Sequence, residues 1–255
     1  MNLKLAKLWA TKTKNDEWWS SFVTSPLAIV LNYFVVDIKW FTPNKITVIS
    51  FITAIIAAVF ILLGGVQNFI IAAILIHLSH VFDCMDGQMA RYRKTSSVSG
   101  SYYDKLTDQI QVFIWFSAIA YAAFQQSGSV IPVFLALFGI AFYSLRGYSK
   151  YVTIYLEASQ TKDSTQDDTP KEVIADTAGI EFGLMANIRW FLKEQKKIFS
   201  FDEGVFIFML SLALILNMLT PMLWVFALSQ VFYGLLRAWQ RGVKLDRKQA
   251  MTIGK

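Results

Sequence analysis

Residues 46–82 read ITVISFITAIIAAVFILLGGVQNFIIAAILIHLSHVF, a run without a single Asp, Glu, Lys or Arg. An apolar helix needs roughly 17 to 25 residues to cross the hydrocarbon core of a bilayer, so this run is long enough to cross twice. Its middle, Gly64-Gly65-Val66-Gln67-Asn68, is an uncharged turn. Two more charge-free runs follow: 109–145, broken at Gln125-Gln126-Ser127-Gly128-Ser129, and 204–236, broken at Asn217-Met218-Leu219-Thr220-Pro221. The pattern predicts three helical hairpins, and therefore an all-α integral membrane protein with six transmembrane helices. Every lysine and arginine then falls on the side opposite the turns, which the positive-inside rule makes cytoplasmic for both termini.

Composition agrees with this reading. Of 255 residues, 55% are hydrophobic and 16% charged, too little polar material to cover a soluble globule. The net charge of +6 fits anionic lipid better than nucleic acid, for which no motif is present. Cys84 is the one cysteine, so no internal disulfide can form. The opening MNLKLAKLWATKTKNDEWWS lacks the continuous apolar run and small-residue cleavage site of a signal peptide, and the N-terminus is expected to stay attached.

Within residues 1–41, Trp18, Trp19, Phe22, Phe34 and Trp40 alternate with lysines around Pro26, which predicts an N-terminal amphipathic helical segment lying in the membrane interface. The catalytic domain is expected over 42–255, where Thr42-Pro43-Asn44 opens the first crossing with proline in a first-turn position. Residues 157–203 read as a cytoplasmic loop. It is flexible around 163–170, and a basic surface helix runs near Ile188 to Phe199.

The chemistry concentrates between residues 83 and 108. Asp83, Asp86, Gly87, Ala90 and Arg91 step by three, one, three and one, which puts them on one face at the end of the second crossing. Asp104 and Asp108, four apart, share a face at the start of the third. Four carboxylates crowded near hydrocarbon repel one another unless cations neutralise them. Oxygen-only ligation suits magnesium or manganese, and four carboxylates can hold two ions at the roughly 3.5 to 4 Å spacing of phosphoryl-transfer sites. Gly87 and Ala90 leave the helix face bare for a bulky nucleotide, and Arg91 offers a fork that matches phosphate oxygens.

These residues follow the pattern D, two residues, D-G, two residues, A-R, eight residues, G, three residues, D, three residues, D, and so resemble the signature of the CDP-alcohol phosphotransferase family at every fixed position. The resemblance implies that Asp83, Asp86, Asp104 and Asp108 bind two divalent cations, with Asp83 and Asp104 bridging and Asp108 also the catalytic base. It implies nucleotide contacts from Asn44, Gly87, Arg91, Ser97 and Gly100, in-line displacement with CMP leaving, and a homodimer. Many members carry a basic residue after the last aspartate, where this chain has Gln109.

Lys105 beside the carboxylates, with Arg146 and Lys150 at the end of the fourth crossing, are candidates to hold a phosphate on the acceptor. That cluster favours a CDP-linked lipid donor such as CDP-diacylglycerol meeting an alcohol or sugar-phosphate acceptor, as in phospholipid biosynthesis. The alternative is a CDP-choline- or CDP-ethanolamine-type donor meeting a lipid alcohol. A cation or proton transporter would want acids near the bilayer midplane on separate repeats, and an aromatic prenyltransferase two separate Asp-rich motifs; here one cluster sits at one membrane surface. His77 and His80, within an apolar helix, are expected to make structural hydrogen bonds rather than ligate metal.

Overall fold

The computed structural model describes residues 3–12, 18–162 and 203–253, with residues 185, 188, 189, 191, 192, 198 and 201 between the last two stretches. Among the described residues there is no strand. The helices are α1 (Leu3–Trp9), α2 (Ser25–Val35) entered through a π-helical turn at Ser20–Thr24, α3 (Pro43–Leu63), α4 (Val66–Arg93), α5 (Val98–Ser127), α6 (Ile131–Lys162), α7 (Glu203–Ile215) and α8 (Leu219–Ile253). The turns between α3 and α4, α5 and α6, and α7 and α8 fall where the three uncharged breaks were read. Helices α3, α4, α6 and α8 are long and apolar enough to cross a membrane. The apolar part of α5 is interrupted by Gln109, Gln111, Gln125 and Gln126, and α7 has only thirteen residues.

Helix α6 continues to Lys162, past residue 157, where the loop was expected to begin. Residues 163–170 and Trp190, Lys193, Lys196 and Lys197 of the expected basic helix lie outside the described residues.

The helices pack through small residues. Ala54, Ala57 and Ala58 of α3, Ala72 and Ala73 of α4, and Ala118, Ala122 and Ala123 of α5 are buried in one core with Phe116, Phe206 and Phe226. Such residues let helix backbones approach where lipid gives no hydrophobic driving force between helices. Gly139 serves the same end on α6: a Cβ there would lie 2.4 Å from the Phe226 ring, which stacks on Phe116 at 3.7 Å. The outer surface is apolar, with Ile52, Ile56, Ile74, Phe134, Leu137 and Leu228 exposed.

Polar side chains point inward and tie helices together. Ser50 Oγ donates to the Ser79 carbonyl at 2.8 Å and Ser79 Oγ to the Ser50 carbonyl at 2.9 Å, a reciprocal pair between α3 and α4. Trp115 Nε1 donates to the Ala54 carbonyl at 2.9 Å, joining α5 to α3. Helix α2 buries Ser25 and Asn32 together with Ala28 and Ile29, and exposes Leu27, Val30 and Phe34. Asn32 Nδ2 donates to the Met85 carbonyl (3.0 Å), and Gln88 Nε2 returns a bond to the Ser25 carbonyl (3.1 Å). The segment preceding the first hairpin is thus packed on α4, the helix that carries the acidic motif.

Candidate active site

Helix α4 ends at Arg93, Lys94 adopts a left-handed conformation (φ 55°), and Thr95 N donates to the Ala90 carbonyl at 2.9 Å. Two residues later Ser97 caps α5, its Oγ accepting from Gly100 N at 3.0 Å. This tight link brings the end of α4 beside the start of α5. One ligand oxygen from each of Asp83, Asp104 and Asp108 lies within 4.8 Å of the others. Asp83 at the end of α4 and Asp104 at the start of α5 thus face each other across the junction. Carboxylates that close require a proton or a cation between them, and an all-oxygen set of this kind is suited to a hard divalent ion. The cluster can therefore hold a metal ion.

Asp86 stands apart from those three. It is buried, and Thr47 Oγ1 on α3 donates a short hydrogen bond to its Oδ2. It lies close enough to Asp104 and to Arg91 to interact with both electrostatically.

Two clefts meet at the carboxylates. The first, ≈ 280 Å³, is lined by Asp83 and Asp108 together with Lys105, Arg146 and Lys150, so the three candidate phosphate-holding cations share one cavity. Gln109 also lines it and donates through Nε2 to Ser144 Oγ at 3.2 Å. Arg146 is oriented by its backbone and neighbours: its carbonyl accepts from Arg241 Nη1 of α8 at 2.7 Å, and its guanidinium lies 5.1 Å from the Tyr143 ring centroid.

The second cleft, ≈ 130 Å³, is lined by Asp86 and Asp104 with Asn44, Thr47, Gly87, Arg91, Ser97 and Gly100. All five residues expected to touch a nucleotide are here. Gly100 is closely approached: a Cβ there would sit 3.0 Å from Ser97 Oγ and 3.5 Å from Asn44 Oδ1. Arg91 folds over Gly87, with Nη1 3.2 Å from where a Cβ would be.

Sequence reasoning missed several contributors. Thr47 is an ordinary apolar-helix threonine until α3 is laid against α4. Arg93 falls in the motif's unfixed eight-residue stretch, yet its guanidinium donates to the carbonyls of Val36 (2.8 and 2.5 Å), Ile38 (3.0 Å) and Phe41 (2.5 Å), clamping the turn that leads into Asn44 and Thr47. Thr11, far away in sequence, accepts from Arg91 Nε at 2.7 Å through its carbonyl. The two histidines take structural partners: His77 Nδ1 lies 3.0 Å from the Ala73 carbonyl and His80 Nε2 3.0 Å from Ser20 Oγ, although His80 also borders the first cavity.

Two curated proteins, each called "Bifunctional IPC transferase and DIPP synthase", are similar to this chain. The one from Thermococcus kodakarensis is 33% identical over 98 residues, 38% of this chain and 22% of that protein. The one from Aquifex aeolicus is 30% identical over 135 residues, 51% of this chain and 29% of that protein. The matched part thus spans less than a third of either relative's length. The sequence model of the CDP-alcohol phosphatidyltransferases matches residues 40–229, a stretch that holds both clefts and every acidic residue of the cluster, and the chain belongs to that family.

Proposed function

We propose that the protein moves a phosphatidyl group from a CDP-linked lipid such as CDP-diacylglycerol to a hydroxyl of a phosphorylated alcohol, with release of CMP, in phospholipid biosynthesis. Six helices cross the membrane, residues 42–255 supply the reacting groups, and the carboxylate end faces the cytosol. The observation that carries this reading is the pair of clefts meeting at Asp83 and Asp104, one lined by bare helix face and an arginine, the other by three cations.

In this scheme Asn44, Gly87, Ser97 and Gly100 wall the nucleotide cleft, and Arg91 pairs with the donor's phosphates. Lys105, Arg146 and Lys150 hold the acceptor's phosphate in the adjoining cavity. Asp108 borders that cavity and takes the proton of the attacking hydroxyl. The hydroxyl oxygen bonds to the phosphorus that bears the lipid alcohol as the bond to CMP breaks. Asp83, Asp86, Asp104 and Asp108 would hold two magnesium or manganese ions, which supply Lewis-acid polarisation of the diphosphate when bound.

The test is CMP release by the purified protein given CDP-diacylglycerol and magnesium, with glycerol phosphate, inositol phosphate, inositol or serine as acceptor. Release that depends on a phosphorylated acceptor is expected. Release only with CDP-choline or CDP-ethanolamine and diacylglycerol would reverse the partners, and none with either set would remove the transfer reading.

Arg146→Ala and Lys150→Ala should each raise the acceptor KM by roughly ten- to a hundredfold, the worth of one charge-assisted hydrogen bond, and leave the donor KM unchanged. An unchanged acceptor KM in both variants would take them out of the acceptor site.

A further inference from the structure

Residues of the two clefts are also held by groups outside the acidic motif. The most distant of these holds is on Arg91. Its Nε is within 2.7 Å of the Thr11 carbonyl, eighty positions earlier, and its tip lies along the Gly87 face of the nucleotide cleft. An arginine has several rotatable bonds, and a side chain that must meet a phosphate loses affinity for every alternative rotamer it visits.

Thr11 is itself fixed. It is buried, its Oγ1 donates to the Leu8 carbonyl at 2.6 Å, and its backbone N donates to the same carbonyl at 3.0 Å. That tight turn just after α1 fixes the peptide whose carbonyl meets Arg91. Leu8 is fully buried among Ala28, Ile29, Val36, Ile46, Val81, Met85 and Met89, which belong to α2, α3, α4 and the turn after α2. At the other end of α1, Lys4 Nζ pairs with Asp37 Oδ2 at 2.5 Å and lies 4.8 Å from the Tyr33 ring centroid. A seven-residue helix is marginal on its own, so its position comes from these anchors.

We propose that residues 3–12 are a positioning segment for the nucleotide cleft: Leu8 and Lys4 dock the segment, and the Thr11 carbonyl holds the Arg91 guanidinium over Gly87, ready for the donor's phosphates. This rests on the transfer reading above. The segment touches no reacting atom and acts through Arg91, so it governs donor binding and leaves the acceptor cavity alone.

Because the contact is made by a backbone carbonyl, the test displaces the segment rather than the Thr11 side chain. Deletion of residues 2–12, and Leu8→Glu or the milder Leu8→Ala, are compared with the full chain in detergent. Calorimetry with CMP and magnesium gives the nucleotide Kd, and steady-state assays give KM for each substrate. We expect the CMP Kd and the donor KM to rise about tenfold in the deletion and in Leu8→Glu, with the acceptor KM unchanged and kcat at saturating donor within about twofold. In an Arg91→Ala background the same deletion should cost nothing further, because the segment then has nothing to hold.

An additive loss in that background, or a deletion variant that binds CMP as the full chain does, would overturn the proposal. So would a rise in both substrates' KM in Leu8→Ala, which would mark a general loss of structure. If the full chain itself binds no CMP, the transfer reading fails and this inference falls with it; if it binds CMP and the deletion makes no difference, only this inference fails.

Discussion

Replacing Asp108 by Asn is expected to lower acceptor-dependent CMP release by roughly 10²- to 10⁴-fold while leaving the affinity for CMP within about twofold. The size follows from the role: an amide cannot take the proton of the attacking hydroxyl, and it is a poorer ligand for a hard cation than a carboxylate. The selectivity follows from position. Asp108 borders the cavity that holds Lys105, Arg146 and Lys150, whereas the nucleotide cleft is bordered by Asp86 and Asp104. Asp108→Asn should therefore separate binding from turnover. A variant that turns over at a tenth of the original rate or faster would remove Asp108 from the role of base. One that loses CMP binding together with turnover would mean that the two clefts are not divided as described.

On the proposed reading, the same division accounts for the use of four acids. Asp83 and Asp104 come together at the junction of the clefts, Asp108 faces the acceptor side, and Asp86 is buried against Thr47 on the nucleotide side. If all four contribute to cation binding, Thr47 fixes one carboxylate oxygen of Asp86 and leaves the other to the site.

The acidic site was largely legible in the sequence because its logic is local. Positions 83, 86, 87, 90 and 91 share a helix face by period alone, and a single four-residue link, 94–97, carries that face to Asp104 and Asp108. The hairpins were legible for the same reason, since charge-free runs and uncharged turns are properties of contiguous residues. What period and composition could not give were contacts across sequence. Thr47 with Asp86, Ser50 with Ser79, Gln109 with Ser144 and Arg241 with the Arg146 carbonyl each join two helices, and nothing in either partner's neighbourhood announces the other. The first forty residues were the hardest. Their tryptophans and lysines read as a segment lying in the membrane interface, and nothing in that pattern marks the unobtrusive Leu8, Ser25 and Asn32, which are buried.

Arg93 is the case in which that hidden layer should cost most. It stands two residues beyond the motif's own arginine, and a sequence reading gives it no task beyond anchoring at the membrane surface. Its guanidinium instead fills the turn 36–41, donating to the Val36, Phe41 and Ile38 carbonyls, the last of which also accepts from Phe41 N. Backbone carbonyls left without partners carry a desolvation cost, and hydrogen bonds from a charged donor are worth about 1.5 to 3 kcal/mol each where water is excluded. The Ile38 carbonyl contact is exposed, and water would replace it; the Val36 and Phe41 contacts are half-buried. Arg93→Ala is thus expected to destabilise the protein by about 3 kcal/mol, a fall in melting temperature on the order of 6 to 12 °C for a chain of this size. Arg93→Lys should recover little of it, because a single ammonium cannot span three carbonyls that a planar fork reaches at once. Because the turn leads directly into Thr42, whose side chain caps α3 one turn before Thr47, both variants should also weaken CMP binding. Thermal unfolding followed by tryptophan fluorescence, with CMP calorimetry on the same samples, checks both consequences. An Arg93→Ala protein that melts with the original would show that the clamp is made of contacts water can replace at no cost.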